Sequence, residues 1–158
     1  MEGKRPEESR VTLTLVMGQE HANFLGNVHG GVIMKLCDEA GGMAASKHAR
    51  RHVVTVTVDS MHFHNPVHIG QLLTVEAEVS WVGRTSLETR VAVRAENVIK
   101  GEVTHTNTAY FVYVALGDDG RPTPVPSLLC ETEAQKLRFA RAEERRAFRL
   151  QQSHHDKT

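Results

Sequence analysis

Two features that can act on a carbonyl lie in one short stretch: adjacent glycines at Gly30 and Gly31, closing a loop that begins at Asn23, and a carboxylate at Asp38. Two glycines opening a helix leave room for close approach to backbone N–H groups that have no intrahelical acceptor. Those groups, with the positive end of the helix dipole, suit a developing negative oxygen. The same glycines suit a helix that packs tightly on a sheet, and spacing alone does not choose. Asp38 falls about two turns further on, beside apolar Cys37 and Ala40, with Met34, Lys35, Gly41 and Gly42 one turn away. One side of the carboxylate therefore lacks bulky cover. A half-buried carboxylate can serve as general base or as nucleophile towards a carbonyl. The ordinary role is an exposed pair with Lys35, worth a few tenths of a kcal/mol, and the isolated residues favour it. Glu39 is the rival carboxylate, but it projects about 100° round the helix.

Other candidate chemistry is thinner. His62 and His64 flank Phe63 on one stretch and could form a metal pair, but His29 and His68 stand at no convincing ligand spacing. No metal site is expected. There is no G-x-S-x-G, no P-loop and no G-x-G-x-x-G. Gly83, Arg84, Thr85 and Ser86 make a short turn with one cation and two hydroxyls, suited to a phosphate and equally to ordinary turn chemistry. Cys37 and Cys130 form no C-x-x-C pattern and read as reduced thiols, Cys37 as a small apolar core residue.

The elements that must position these residues follow from hydrophobic period. Residues 11–16 alternate Val11, Leu13 and Leu15 against Thr12 and Thr14, a half-buried strand. Val32, Ile33, Leu36, Cys37, Ala40, Met43 and Ala44 share one broad helical face, so the spacing predicts a helix over residues 30–49. Four strands should follow: Val54, Val56 and Val58 alternating with threonines; Leu73, Val75, Ala77, Val79 and Trp81 on one face; Leu87 to Val93 alternating with charge; and a last strand over residues 103–116. Short connections make them antiparallel neighbours. A sheet with one apolar face needs a cover, and the 30–49 helix is the only large apolar one. The class is α+β, a curved antiparallel β-sheet wrapped around one long central α-helix. Residues 127–152 read as a charged C-terminal helix with few apolar anchors (Leu128, Leu137, Phe148), lying outside or at a subunit contact. Residues 1–9 read as a flexible tail and 153–158 as disordered.

The chain has 158 residues, zero formal net charge, 40% hydrophobic and 24% charged residues, which fits one globular domain. Neutrality gives no support for nucleic acid as a partner. No stretch is long and apolar enough to span a bilayer, and residues 1–10 lack the apolar run of a signal peptide. A cytoplasmic protein without membrane partners is expected.

The block Asn23-x-x-Gly26-Asn27-Val28-His29-Gly30-Gly31, continued by residues 34–41, resembles the active-site region of hotdog-fold acyl-CoA thioesterases, most nearly the cytosolic (brain-type) acyl-CoA hydrolases and their single-domain bacterial relatives. Residues 53–63 with Pro66 and Gly70, residues 82–86 and residues 108–114 extend the likeness over residues 10–116. The resemblance implies a hotdog acyl-CoA hydrolase domain over residues 10–126 and hydrolysis of fatty acyl-CoA, medium- to long-chain, to free acid and CoA. It implies Asp38 as base or nucleophile and Asn23, from a partner protomer, orienting water or thioester. N–H groups around His29, Gly30 and Gly31 would hold the oxyanion. CoA would contact Val56, Thr57, Val58 and Ser60, with Gly83, Arg84, Thr85 and Ser86 near its phosphates. The acyl chain would lie by Met34 and Met43. No cofactor is implied beyond the CoA of substrate and product. The implied assembly is a homodimer with shared sites, gathered into a hexamer as a trimer of dimers. A hotdog dehydratase using His29, or a non-enzymatic acyl-CoA sensor, are the alternatives.

Overall fold

The computed structural model describes residues 1–59 and 61–157. Five antiparallel strands form one sheet: β1 (Val11–Val16), β2 (His52–Asp59), β3 (Leu72–Val82), β4 (Ser86–Asn97) and β5 (Glu102–Leu116). Their order is β1-β3-β4-β5-β2, so the two shorter strands are the edges. The long helix α1 (Gly30–Ala49) lies across one face. It buries Ile33, Cys37, Ala40, Gly41, Ala44, Ala45, His48 and Ala49. Most of these are small, which lets the sheet curve close round the helix. The core is completed by Leu73, Val75, Ala77 and Val79 of β3, Leu87, Val91 and Val93 of β4, and Ala109, Phe111 and Tyr113 of β5. Burying such side chains is worth about 1.5–3 kcal/mol for each large one. His29 starts the helix, its ring Nδ1 accepting the Gly31 N–H at 2.9 Å. Arg50 ends it in the left-handed region at φ 54.

Trp81 departs from the expected face. The register runs Val79↔Thr89 and then Trp81↔Glu88, with Ser80 as the extra residue of a bulge. An inserted residue reverses the alternation, so Trp81 leaves the α1 side for the opposite one. There it meets Phe139 of the second helix, ring centroids 6.4 Å apart, and donates to Glu143 at 2.9 Å.

That helix, α2 (Glu133–His155), is shorter at its start and longer at its end than the expected 127–152. Residues 127–131 are not helical, because Thr132 caps the helix by accepting the Gln135 N–H. The expected disorder over 153–158 is overturned as far as His155, which is helical; Thr158 lies outside the described residues. Leu137 and Phe148 are exposed and do not anchor α2. Charge anchors it instead. Arg145 forks onto Glu88 at 2.9 and 2.7 Å, Ser80 donates to the same carboxylate at 2.8 Å, and Arg149 meets Asp59 at 2.6 Å.

The flexible tail expected at 1–9 is built into the fold. Residues Pro6–Ser9 form a 3-10 turn, Ser9 is buried, and Lys4 pairs in parallel with Leu128. The Lys4 ammonium also donates to the His48 carbonyl at 2.7 Å. These partners lie far along the chain, so no local pattern in residues 1–9 announces them.

Candidate active site

Asp38 sits at the margin of the buried face of α1, its side chain half-buried against the sheet. Two hydroxyls converge on one of its oxygens. Thr55 of β2 donates to Oδ1 at 2.8 Å, and Tyr113 of β5 lies 3.0 Å from the same atom. The Tyr113 hydroxyl is also 3.0 Å from the Asp38 main-chain oxygen, so its single proton is shared between the two. Among the described residues no hydrogen-bond donor is found for Oδ2. The expected pairing with Lys35 is not made, as Lys35 reaches Glu39 instead, at 4.0 Å.

The surroundings keep both neighbours neutral. Burial, and then the Asp38 charge, push the Tyr113 phenol well above its ordinary value, so it stays a donor. The same two causes push the Cys37 thiol up to about 12, which removes it as a nucleophile. Gly41 makes the arrangement possible. A Cβ there would stand 2.6 Å from the Tyr113 hydroxyl and 2.7 Å from Thr89 Oγ1.

Asn23 lies in the loop before α1. Its Oδ1 accepts from Leu25 N at 2.9 Å and Asn27 N at 3.1 Å. Two main-chain donors on one side-chain atom identify that atom as the oxygen, so Nδ2 is the end left to act on another group. Within one protomer no hydrogen bond joins Asn23 to Asp38 among the described residues. Beside Asn23, Phe24 and Leu25 stand out fully into solvent.

The helix start is more committed than its glycines suggest. The His29 N–H donates to the His21 carbonyl at 2.7 Å, and the Gly31 N–H to the His29 ring. Of the three N–H groups only that of Gly30 has no acceptor among the described residues.

The other expected contacts divide. Val56, Thr57 and Val58 lie on edge strand β2, where they border an open groove closed on its far side by Arg141, Arg145 and Arg149 of α2. Ser60 lies outside the described residues. Gly83, Arg84, Thr85 and Ser86 form the β3–β4 turn, beyond the opposite end of that stretch: Thr85 accepts from Ala115, whereas Thr57 pairs with Val112. The two sets are thus about 10 Å apart along the strand direction. Arg84 is exposed. Met34 and Met43 do not share a slot. Nine positions apart, they point about 180° from each other around α1, and Met43 borders a separate depression with Arg50, Arg51 and Leu116. The rings of His62 and His64 lie 6.3 Å apart, and among the described residues no three metal-binding side chains gather.

Thr55, Tyr113 and Gly41 were not singled out by sequence as site residues. A second bulge explains Thr55. The register jumps from Thr55↔Tyr113 to Thr57↔Val112, so Val56 is the extra residue and Thr55 faces α1 while Thr57 faces away.

Three comparisons bear on the chain. The family description "Thioesterase superfamily" matches residues 25–102. The cytosolic acyl coenzyme A thioester hydrolase of Rattus norvegicus is 36% identical over 133 residues, covering 83% of this chain and 35% of that protein. The chain thus spans about a third of the length of the mammalian relatives it matches. A solved apo-hexameric acyl-CoA thioesterase superposes with TM-score 0.92 at 33% identity, over 97% of this chain and 98% of the other. The acyl-CoA hydrolase of Staphylococcus aureus, solved with butyryl coenzyme A, coenzyme A and coenzyme A disulfide, superposes with TM-score 0.87 at 30% identity, over 98% and 96% of the two chains. Alanine variants of that hydrolase at an asparagine, an aspartate and a threonine, 15 and 17 positions apart in that order, have the same fold as this chain.

Proposed function

The chain belongs to the thioesterase superfamily, in the hotdog acyl-CoA hydrolase group, and from that premise we propose that it hydrolyses acyl-CoA to a free acid and CoA at Asp38. The observation that carries this reading is the Asp38 carboxylate, held through Oδ1 by two hydroxyls and open at Oδ2. Asn23, Asp38 and Thr55 are themselves 15 and 17 positions apart, the separations of the residues replaced in the Staphylococcus aureus hydrolase. That coincidence supports the same trio here.

In this reading Oδ2 accepts a proton from water as the water attacks the thioester carbonyl, or attacks the carbonyl itself. In the first route the tetrahedral intermediate collapses, the C–S bond breaks and the CoA sulfur leaves with that proton. In the second, CoA leaves as the thiolate, and water then hydrolyses the acyl–Asp38 anhydride to the free acid, the released proton going to the thiolate. The Gly30 N–H and Asn23 Nδ2 are the donors available to the oxyanion. Because Asn23 has no link to Asp38 in its own protomer, it serves a second copy. Strand β2 is the natural seam: an unpaired edge carrying Val54, Val56 and Val58 at 45, 57 and 37% exposure. Joining two such edges makes one continuous sheet with two sites, and three dimers complete a hexamer. Pantetheine runs beside residues 56–58, and the substrates are medium- to long-chain acyl-CoAs.

The test is thiol release from a panel of acyl-CoAs by Asp38→Ala and Asn23→Ala proteins of confirmed oligomeric mass. Each is expected to lose at least about a hundredfold in kcat/KM. Wild-type rates in either variant, or tight acyl-CoA binding without thiol release by the parent, would refute the assignment.

A further inference from the structure

We propose that Tyr113 is a positioning residue for Asp38: its hydroxyl fixes Oδ1 as the held oxygen and so selects Oδ2 as the oxygen that meets water or thioester. This rests on Asp38 being the reactive carboxylate. The last torsion of an aspartate is soft and nearly two-fold, so an unrestrained carboxylate exchanges its oxygens. Two donors on one oxygen remove that equivalence. Thr55 alone is a weak restraint, because it lies exposed on an edge strand where water can replace it. Tyr113 is different in kind. Its ring is 1% exposed and stacks on Phe111 at 6.4 Å and 15°, so the hydroxyl is delivered by a side chain that cannot swing away.

The hydroxyl is not there for packing. Phenylalanine would fill the same space in the core, and the oxygen is accommodated only because position 41 has no Cβ. It reaches both the main-chain and the side-chain oxygen of Asp38, each at 3.0 Å, which references the carboxylate to the helix backbone. Burial keeps the phenol protonated, so it donates throughout the working pH range.

The experiment compares Tyr113→Phe with Asp38→Ala in the full-length oligomer, measuring thiol release as separate kcat and KM values. Tyr113→Phe is expected to lower kcat by about tenfold and leave KM little changed. Asp38→Ala is expected to abolish turnover. Undiminished turnover in Asp38→Ala overturns the reading of the site itself. Abolition there, with kcat unchanged in Tyr113→Phe, overturns only the role of Tyr113. A lowered kcat with KM raised to match overturns it too, since a packing defect would do as much. If Tyr113→Phe does not fold, Gly41→Ala drives a methyl into the hydroxyl and is expected to lower kcat with KM little changed; an unchanged kcat is again the refuting result.

Discussion

At Asn23 the side-chain oxygen is consumed by two main-chain N–H groups of its own loop, and at Asp38 one carboxylate oxygen is consumed by two hydroxyls. Among the described residues each is therefore left with one unpartnered end, a donor in the first case and an acceptor in the second. The sequence marked both residues only through resemblance, because a loop asparagine and a helical aspartate beside a lysine are individually unremarkable. Tyr113 was hidden for a different reason. In an alternating strand it reads as a core aromatic, and nothing local reveals that its oxygen meets a residue 75 positions away. His48 is a second buried polar residue with a measurable consequence. Its Nε2 hydrogen-bonds the Pro126 carbonyl at 2.8 Å, and among the described residues Nδ1 has no partner. Burial lowers its pKa, nearby Lys4 adds to this, and the Pro126 bond and Glu8 oppose it. The unfolded chain thus takes up the proton first, near the ordinary imidazole value of about 6.5. Stability from neutral His48 is fully present above that pH and erodes as pH falls from there towards the lower folded-state value. Urea midpoints at pH 7.5 and 5.5 should show this loss, and His48→Gln should lack most of it.

Helix α1 runs over Gly30–Ala49 as its apolar spacing predicts, because a capped amphipathic segment specifies its own ends. The strands were legible in extent but not always in facing. Period-two reasoning assumes one residue per step, and the extra residues at Ser80 and Val56 break that assumption without any signature in residue type. Helix α2 misled for the opposite reason. Its charges suggested a solvated face, yet Arg145 and Glu88 are an anchor, and Glu88 is wholly buried. Removing one partner of a buried pair leaves an uncompensated charge, so Arg145→Ala should destabilise the fold by about 3 kcal/mol. Chemical denaturation at neutral pH checks this. A change below about 0.5 kcal/mol would mean that the pair behaves as a surface one.

Exposed apolar side chains occur along edge strand β2 and at the loop tip of Phe24 and Leu25, among other places. If two protomers join there, a cation in the seam should part them, as charged edges do in monomeric sheet proteins. Val56→Lys is expected to shift sedimentation towards the monomer and to lose turnover in step, since the monomer lacks its partner's Asn23. A fully active monomer would show that the site is complete within one chain. No helix among the described residues is long and apolar enough to cross a membrane. The pairing of Lys4 with Leu128, with backbone bonds of 3.0 Å to Ser127 and 2.8 Å from Leu129, has one more meaning for the whole chain. It closes the polypeptide into a ring with a pendant arm. Asp38, Thr55 and Tyr113 are all stations on the ring, whereas Arg141, Arg145 and Arg149 ride on the arm. Asp38 with its two hydroxyls and the cationic wall are therefore topologically separable: breaking the ion pairs of the arm would release it from the groove beside β2 without the ring being cut.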